Sequence, residues 1–545
     1  MDNSDLKYRN NAIEKLKTTT FDVLVVGGGI TGSGIARDAG IRGYNVALIE
    51  KNDFGFGTSS GSSKLVHAGF RYLSTKEFGL VREGSVERKR ILEAIPHLSR
   101  PIPFLIPLHS DTRLKKYKIR IGLWLYDLLA SFKNYGFHKL FGKKKGRKLL
   151  PPNVREENFQ GSGYYFDGQM DDARITLDVA LSARDHGVTI LNYIEVINFS
   201  VEENETQNVT VRNNYTREEF VIKAKSIVIA VGHWMDQLTS LIDPKIPKRV
   251  RPSKGIHLIV KRFYEKENAV VVPVLDDGRI IFVIPFGQYQ IIGTTDTDYS
   301  GDLDHVPVTQ EDVNYLINAV NTIFPDSLIQ EDVLSCYSGI RPLVRPDKAL
   351  SESDVSRKHE IYNVNNNTLA IAGGKFTTYR QMAEDLVDKI ESILGKKNSC
   401  QTKKIPFYGW NSIKRKNWDK WSKNVIHTLK TDYNLPDDIA THLLRYGIQY
   451  EKICSILDKN STLKERISPE RPYILAEIHH FVKNEMTLTL SDVMLRRSQI
   501  QLSENQGLDC VEKIASEMAK ILDWDDSTKE MQLNQYNNDL VWNNQ

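Results

Sequence analysis

Two periodicities divide the chain. Up to about residue 395, short apolar runs alternate with glycine-rich turns and helical stretches. Beyond that point the strand-like runs stop and the pattern becomes polar and helical, broken by Pro436, Pro469 and Pro472. Residues 21–26 (FDVLVV) read as a buried strand, residues 31–43 as a helix, and residues 45–50 (NVALIE) as a second strand. Residues 80–95 and 311–324 read as helices, and residues 226–231 (SIVIAV) as a further buried strand. Residues 256–300 carry several short strands. Residues 370–374 form a strand ending in two glycines, followed by a helix. Residues 1–20 read as a polar lead-in or a short helix.

The first strand–turn–helix carries Gly27-Gly28-Gly29-Ile30-Thr31-Gly32, a G-x-G-x-x-G pattern, and Glu50 closes the next strand 18 residues later. In that context the pattern predicts a dinucleotide site. Gly27 permits the tight turn, Gly29 the approach of a pyrophosphate, and Gly32 the close packing of helix on strand. The helix N-terminus favours phosphate. Glu50 suits a ribose 2′-hydroxyl and would repel a 2′-phosphate. Two later strand ends, at Gly232 and at Gly373-Gly374, are expected near the same ligand. With only one fingerprint present, they favour FAD over NAD.

Composition narrows the class. The chain has 545 residues, 40% hydrophobic and 26% charged, with a net charge of +4. This is an ordinary globular balance, too mild to mark a nucleic-acid binder. The four cysteines are scattered and form no metal-ligand spacing. No metal is expected. No signal peptide or apolar run long enough to span a bilayer is evident.

Seven further segments carry a resemblance: GTSSGSSKLVHAGFRYL (57–73), YYFDGQMDDARI (164–175), KGIH (254–257), IIGTTDTD (291–298), SGIRPLVRP (338–346), AGGKFTTYR (372–380) and LTLSDVMLRR (488–497). In order and spacing the sequence resembles the FAD-dependent, quinone-linked (aerobic) glycerol-3-phosphate dehydrogenases. The resemblance covers roughly residues 20–395 and continues more weakly to the end. It departs at Gly61, Ala68, Phe70 and His233, none of which removes a reacting group.

The resemblance implies a mixed α/β fold. A glutathione-reductase-type FAD-binding Rossmann domain (21–395) would be interleaved with a β-sheet substrate domain (roughly 80–160 and 240–345). A C-terminal all-α domain (396–545) would follow. It implies non-covalent FAD, held by Gly27 to Gly32, Glu50, Thr58, Ser59, Ser60, Ser62, Lys64, Leu65, Val196, Gly232, Gly374, Lys375, Phe376 and Thr377. It also implies oxidation of sn-glycerol 3-phosphate to dihydroxyacetone phosphate, with electrons passing to membrane quinone. An oxidase passing electrons to O2 and releasing hydrogen peroxide is the alternative. Such relatives tend to carry an extra insertion, which is not evident here. A flavin-binding scaffold and an amino-acid oxidase fit less well, because neither needs several phosphate ligands.

The chemistry requires a base, a phosphate grip and a charge to steady the developing alkoxide. Arg71, Tyr72, Lys375 and Thr378 are the candidate phosphate ligands, and Arg341 the alkoxide-stabilising group. His67 and His257 are the candidate bases, with His67 preferred because it shares a loop with Arg71. Asp296 and the DDAR stretch at 171–174 read as supports for loop order.

Residues 113–148 hold twelve Lys/Arg and one acidic residue, interleaved with Trp124, Phe132, Phe137, Phe141 and several Leu and Ile. This reads as an amphipathic, basic element lying on an anionic membrane surface. The expected location is therefore the inner face of the cytoplasmic membrane, held peripherally. The sequence sets no oligomeric state, and a homodimer stays open.

Overall fold

The computed structural model describes residues 4–69, 73, 77–111, 116–130, 135–201, 206–274, 279–345, 358–395, 397–410 and 415–542. Arg71 and Tyr72 lie outside the described residues.

The first sheet is built on five parallel strands, in the order Thr368–Ala372, Glu219–Ile229, Thr20–Val26, Val46–Ile49, Thr189–Leu191. The antiparallel strand Glu360–Asn365 extends it at the Thr368–Ala372 edge, and the hairpin Ile194–Val201/Gln207–Asn213 pairs antiparallel with the first half of Glu219–Ile229. Its central strand is buried on both faces, which is why it reads as an unbroken apolar run. Phe21, Val23, Leu24 and Val25 are fully buried, and each such side chain contributes about 1.5–3 kcal/mol. Helix Ile30–Ile41 packs against helices Asp172–Asp185 and Tyr379–Leu394.

The second sheet has ten strands and is mostly antiparallel. Its long strands are Ser99–His109, Phe159–Met170, Val250–Lys261 and Val333–Val344, flanked by shorter ones at Ala269–Pro273, Ile280–Phe286 and Tyr289–Gly293. The chain crosses between the two sheets repeatedly. After residue 395 the described residues form helices around a separate core of Leu443, Ile453, Ile478, Phe481, Val493 and Ile514.

One segment agrees with the lead-in read as a short helix, and one differs from the sequence reading. The polar N-terminal stretch is helix Ser4–Thr18, with Arg9 buried and donating to the Asn192 side chain at 2.7 Å. The basic segment is not one element. It comprises helix Lys116–Leu129, strand Lys139–Gly142 and the short helix Lys143–Leu149.

Candidate active site

A cavity of about 560 Å³ opens where the first sheet's parallel strands end and the second sheet begins. That volume lies within the ~300–1,000 Å³ range of small-molecule sites. The strand ends bring Gly27, Gly29, Ile30, Thr31, Glu50, Val196, Gly232, Gly374, Lys375 and Phe376 to its wall. Loop 57–69 adds Thr58, Ser59, Ser62, Leu65 and His67, and the second sheet adds Arg341.

The fingerprint turn is shaped for close approach. Gly27 has φ +110°, and a β-carbon there would lie 2.6 Å from the Ala230 carbonyl oxygen. The helix N-terminus after Gly29 meets the Ser59 hydroxyl, which accepts from the Ile30 amide at 2.9 Å. Glu50 accepts from the Gly28 amide at 2.7 Å and the Asn52 amide at 2.9 Å. Burial pushes the Glu50 carboxyl above the usual carboxylate range. A glycine turn, a helix N-terminus and a carboxylate at the next strand end fit the pyrophosphate and ribose of a dinucleotide.

The loop itself is tightly held. Asp172, fully buried, accepts from the Lys64 ammonium at 2.7 Å and the Ser62 hydroxyl at 2.7 Å. Tyr337 donates to the Ser62 carbonyl at 2.9 Å, and Thr58 donates to the Ile340 carbonyl. The Lys64 side chain is thus directed to Asp172 and away from the cavity wall.

Other expected residues also sit behind the wall. Gly28 and Gly32 are packed inside the turn. Ser60 lies off the cavity. Thr377 brackets the His67 backbone, its hydroxyl 3.2 Å from the His67 amide and 3.0 Å from the His67 carbonyl. Thr378 is buried, its hydroxyl 3.4 Å from the Lys375 carbonyl.

The two histidines occupy different places. His67 lines the cavity. His257 is buried behind it, stacked on Tyr337 at 4.7 Å, with Nε2 2.8 Å from the Ser63 hydroxyl. Burial, with Arg341 and Lys64 nearby, holds His257 well below the ordinary histidine range, so its ring is neutral.

Arg341 projects from strand Val333–Val344 and is fixed by two groups. It donates to the Thr294 hydroxyl at 2.9 Å and to Asp296 at 3.3 Å. Asp296 is itself held by the Ser253 hydroxyl at 2.5 Å. Gly255 makes room for the fork: a β-carbon there would lie 2.5 Å from the guanidinium.

Several cavity residues go beyond the site residues expected from the sequence, although Ser63, Thr294 and Asp296 fall within the motifs at 57–73 and 291–298. Ser63, Thr294 and Asp296 join the polar side, and Phe104, Ile106, Ile119, Tyr165, Val271 and Phe282 form an apolar wall. Alternation along the second-sheet strands could have hinted at the latter, apart from Ile119, which comes from helix Lys116–Leu129. His233 also lines the cavity, and burial lowers it to about 4.

Residues 22–380 match the FAD-dependent oxidoreductase family, and residues 400–529 match the C-terminal domain of alpha-glycerophosphate oxidase. The aerobic glycerol-3-phosphate dehydrogenase of Staphylococcus aureus (strain MRSA252) is 35% identical over 526 residues, covering 95% of this chain and 93% of that protein. The crystal structure of the Bacillus halodurans glycerol-3-phosphate dehydrogenase, complexed with FAD, superposes with a TM-score of 0.81 at 28% identity, covering 98% of each chain. The FAD-bound L-alpha-glycerophosphate oxidase of Mycoplasma pneumoniae shares the fold at 21% identity and a TM-score of 0.56, over 71% of this chain and 97% of that one. The fingerprint cradle, the two-sheet cavity and these relationships place the chain in the FAD-dependent glycerol-3-phosphate dehydrogenase family.

Proposed function

We propose that the protein oxidises sn-glycerol 3-phosphate to dihydroxyacetone phosphate and delivers the electrons to membrane quinone. The observation that carries this reading is the convergence of His67, Arg341 and Lys375 on the same cavity as the dinucleotide cradle. When bound, FAD supplies the hydride acceptor and the link to quinone. Every other task falls to side chains of this chain. Lys375, beside the turn that opens helix Tyr379–Leu394, attracts the substrate phosphate as a point charge. Arg71 and Tyr72 are the further phosphate ligands in this reading. Thr378, buried at the same turn, serves by ordering Lys375. With the phosphate fixed, the C2 hydroxyl is directed between His67 and Arg341. His67 takes the hydroxyl proton, and Arg341 steadies the alkoxide as the C2 hydride departs. His257, buried and neutral, orders Ser63.

The acceptor is tested by supplying glycerol 3-phosphate and following dye or quinone reduction beside peroxide release. Reduction without stoichiometric peroxide is expected. Stoichiometric peroxide would make the protein an oxidase using O2.

Access to quinone is supported by helix Lys116–Leu129. One face is buried through Ile119, Leu123 and Tyr126. The other exposes Tyr117 (63%), Ile121 (63%), Trp124 (54%) and Leu128 (41%), spaced as one stripe. No described helix is long and apolar enough to cross a membrane. Lys143, Lys144, Lys145 and Lys148 are exposed nearby in the chain. A basic residue near an anionic surface contributes about 1 kcal/mol, and that part is screened by salt. Replacing these four lysines by Gln should weaken binding to anionic liposomes and lower quinone-coupled activity, with soluble-dye activity unchanged. Arg147 is left intact because it donates to the Pro151 carbonyl at 3.1 Å and Glu156 at 3.0 Å. Trp124→Ser should remove the salt-resistant part of the binding. Parent-like liposome binding in both variants would make the segment an ordinary solvated surface.

A further inference from the structure

The motif LTLSDVMLRR ends in two adjacent arginines, Arg496 and Arg497, both buried. Successive residues of an α-helix do not face the same neighbour. Here Val493–Arg497 forms a π-helical turn, and both side chains reach one carboxylate, that of Asp53. Arg496 donates to Asp53 Oδ2 at 2.6 Å. Arg497 donates to Oδ2 at 2.6 Å and to Oδ1 at 2.9 Å. Asn192 adds a fourth donor at 3.0 Å. Burial alone would raise the Asp53 pKa, but the charges of Arg497 and Arg496 bring it down to about 2.

Asp53 does not line the cavity, yet it anchors a turn that does. Three residues earlier, Glu50 lies on the cavity wall and accepts from the Gly28 amide. The Gly55 amide donates to the Gly28 carbonyl at 3.1 Å, and the Phe54 ring lies against Gly28. The turn 50–56 therefore braces the fingerprint, and the helical tail braces the turn.

A second arm reaches loop 57–69. Arg445 and Gln499 of the tail donate to Asp171 at 2.8 Å and 3.0 Å. Asp171 caps helix Asp172–Asp185, accepting from the Arg174 amide at 3.2 Å. The next residue, Asp172, holds Ser62 on the cavity wall.

We infer that the C-terminal helical domain sets the affinity for FAD, with Arg496, Arg497 and Gln499 acting as positioning residues through Asp53 and Asp171. The inference rests on FAD binding at this cavity and is independent of the electron acceptor and of which alcohol is oxidised.

Two variants of the full-length holoenzyme test it. Arg497→Lys keeps the charge but loses the two-pronged grip on Asp53. Gln499→Leu removes one neutral donor from Asp171, which keeps Arg445. Flavin release is followed by flavin fluorescence and unfolding by far-ultraviolet circular dichroism during the same heating. In the parent the two transitions should coincide. In both variants flavin release should come first, below the unfolding temperature. The FAD dissociation constant should rise about tenfold in Arg497→Lys, the effect of losing one charge-assisted hydrogen bond, and less in Gln499→Leu. Flavin release that moves in step with unfolding, or parent-like FAD affinity in the folded variants, would reduce these residues to ordinary interdomain packing. If Arg497→Lys does not fold, the Gln499→Leu result decides.

Discussion

His67→Ala is expected to lower kcat by about 10²–10⁴, the range for losing a general base, while FAD stays bound. The imidazole lines the cavity, but the backbone that carries it is held by Thr377 on both its amide and carbonyl sides. Removing the ring should therefore leave loop 57–69 in place. The comparison with His257 makes the result informative. That ring is stacked on Tyr337, bonded to Ser63 and neutral by burial. Truncating it opens a hole against Gly293, whose Cα-side space it fills, so His257→Ala should act mainly through stability. Steady-state kinetics, bound-flavin absorbance and thermal unfolding on both variants separate the two. A folded, flavin-loaded His257→Ala with the larger rate loss would reverse the assignment.

Arg341→Ala is expected to lower kcat by about 10²–10³, as for other lost oxyanion-type contacts. The guanidinium is already oriented by Thr294 and Asp296 before substrate arrives, so little reorganisation is needed at the moment of reaction. Arg341→Lys should recover only part of the rate, because an ammonium cannot meet both Thr294 and Asp296 with the fork geometry. Flavin content should be unchanged in both. Parent-level turnover in Arg341→Ala would make this residue a structural support for the strand Val333–Val344.

The legible parts of the protein were those written locally. The strand–glycine–helix unit at 20–41 and the carboxylate at Glu50 are set by neighbours within one turn or one strand. The mixed α/β architecture with a helical tail follows from the change of period near residue 395. What remained hidden depends on contacts between distant positions. Nothing in KGIH reveals that His257 lies behind the cavity, since that depends on which face of strand Val250–Lys261 meets Tyr337. Nothing local to Lys64 shows that its ammonium is held by Asp172, 108 positions away. The apolar wall of Phe104, Ile119 and Phe282 comes from three separate segments. The basic stretch reads as a single amphipathic element because its composition is uniform, while glycines at 136 and 142 and the pairing of Lys139–Gly142 with the strand Phe159–Met170 divide it.

The bond between Arg497 and Asp53 spans 444 positions. Asp53 is synthesised more than 400 positions before its arginine partners. A domain can form its local elements as they appear, but a long-range pairing must wait for both ends. A nascent chain ending near residue 395 would therefore carry an assembled parallel sheet with a carboxylate that lacks its two arginines. The turn around the fingerprint would be left loose until Arg496 and Arg497 have been made. Capture of the flavin in this way waits for residues 496 and 497, and products truncated near residue 395 should leave the ribosome colourless.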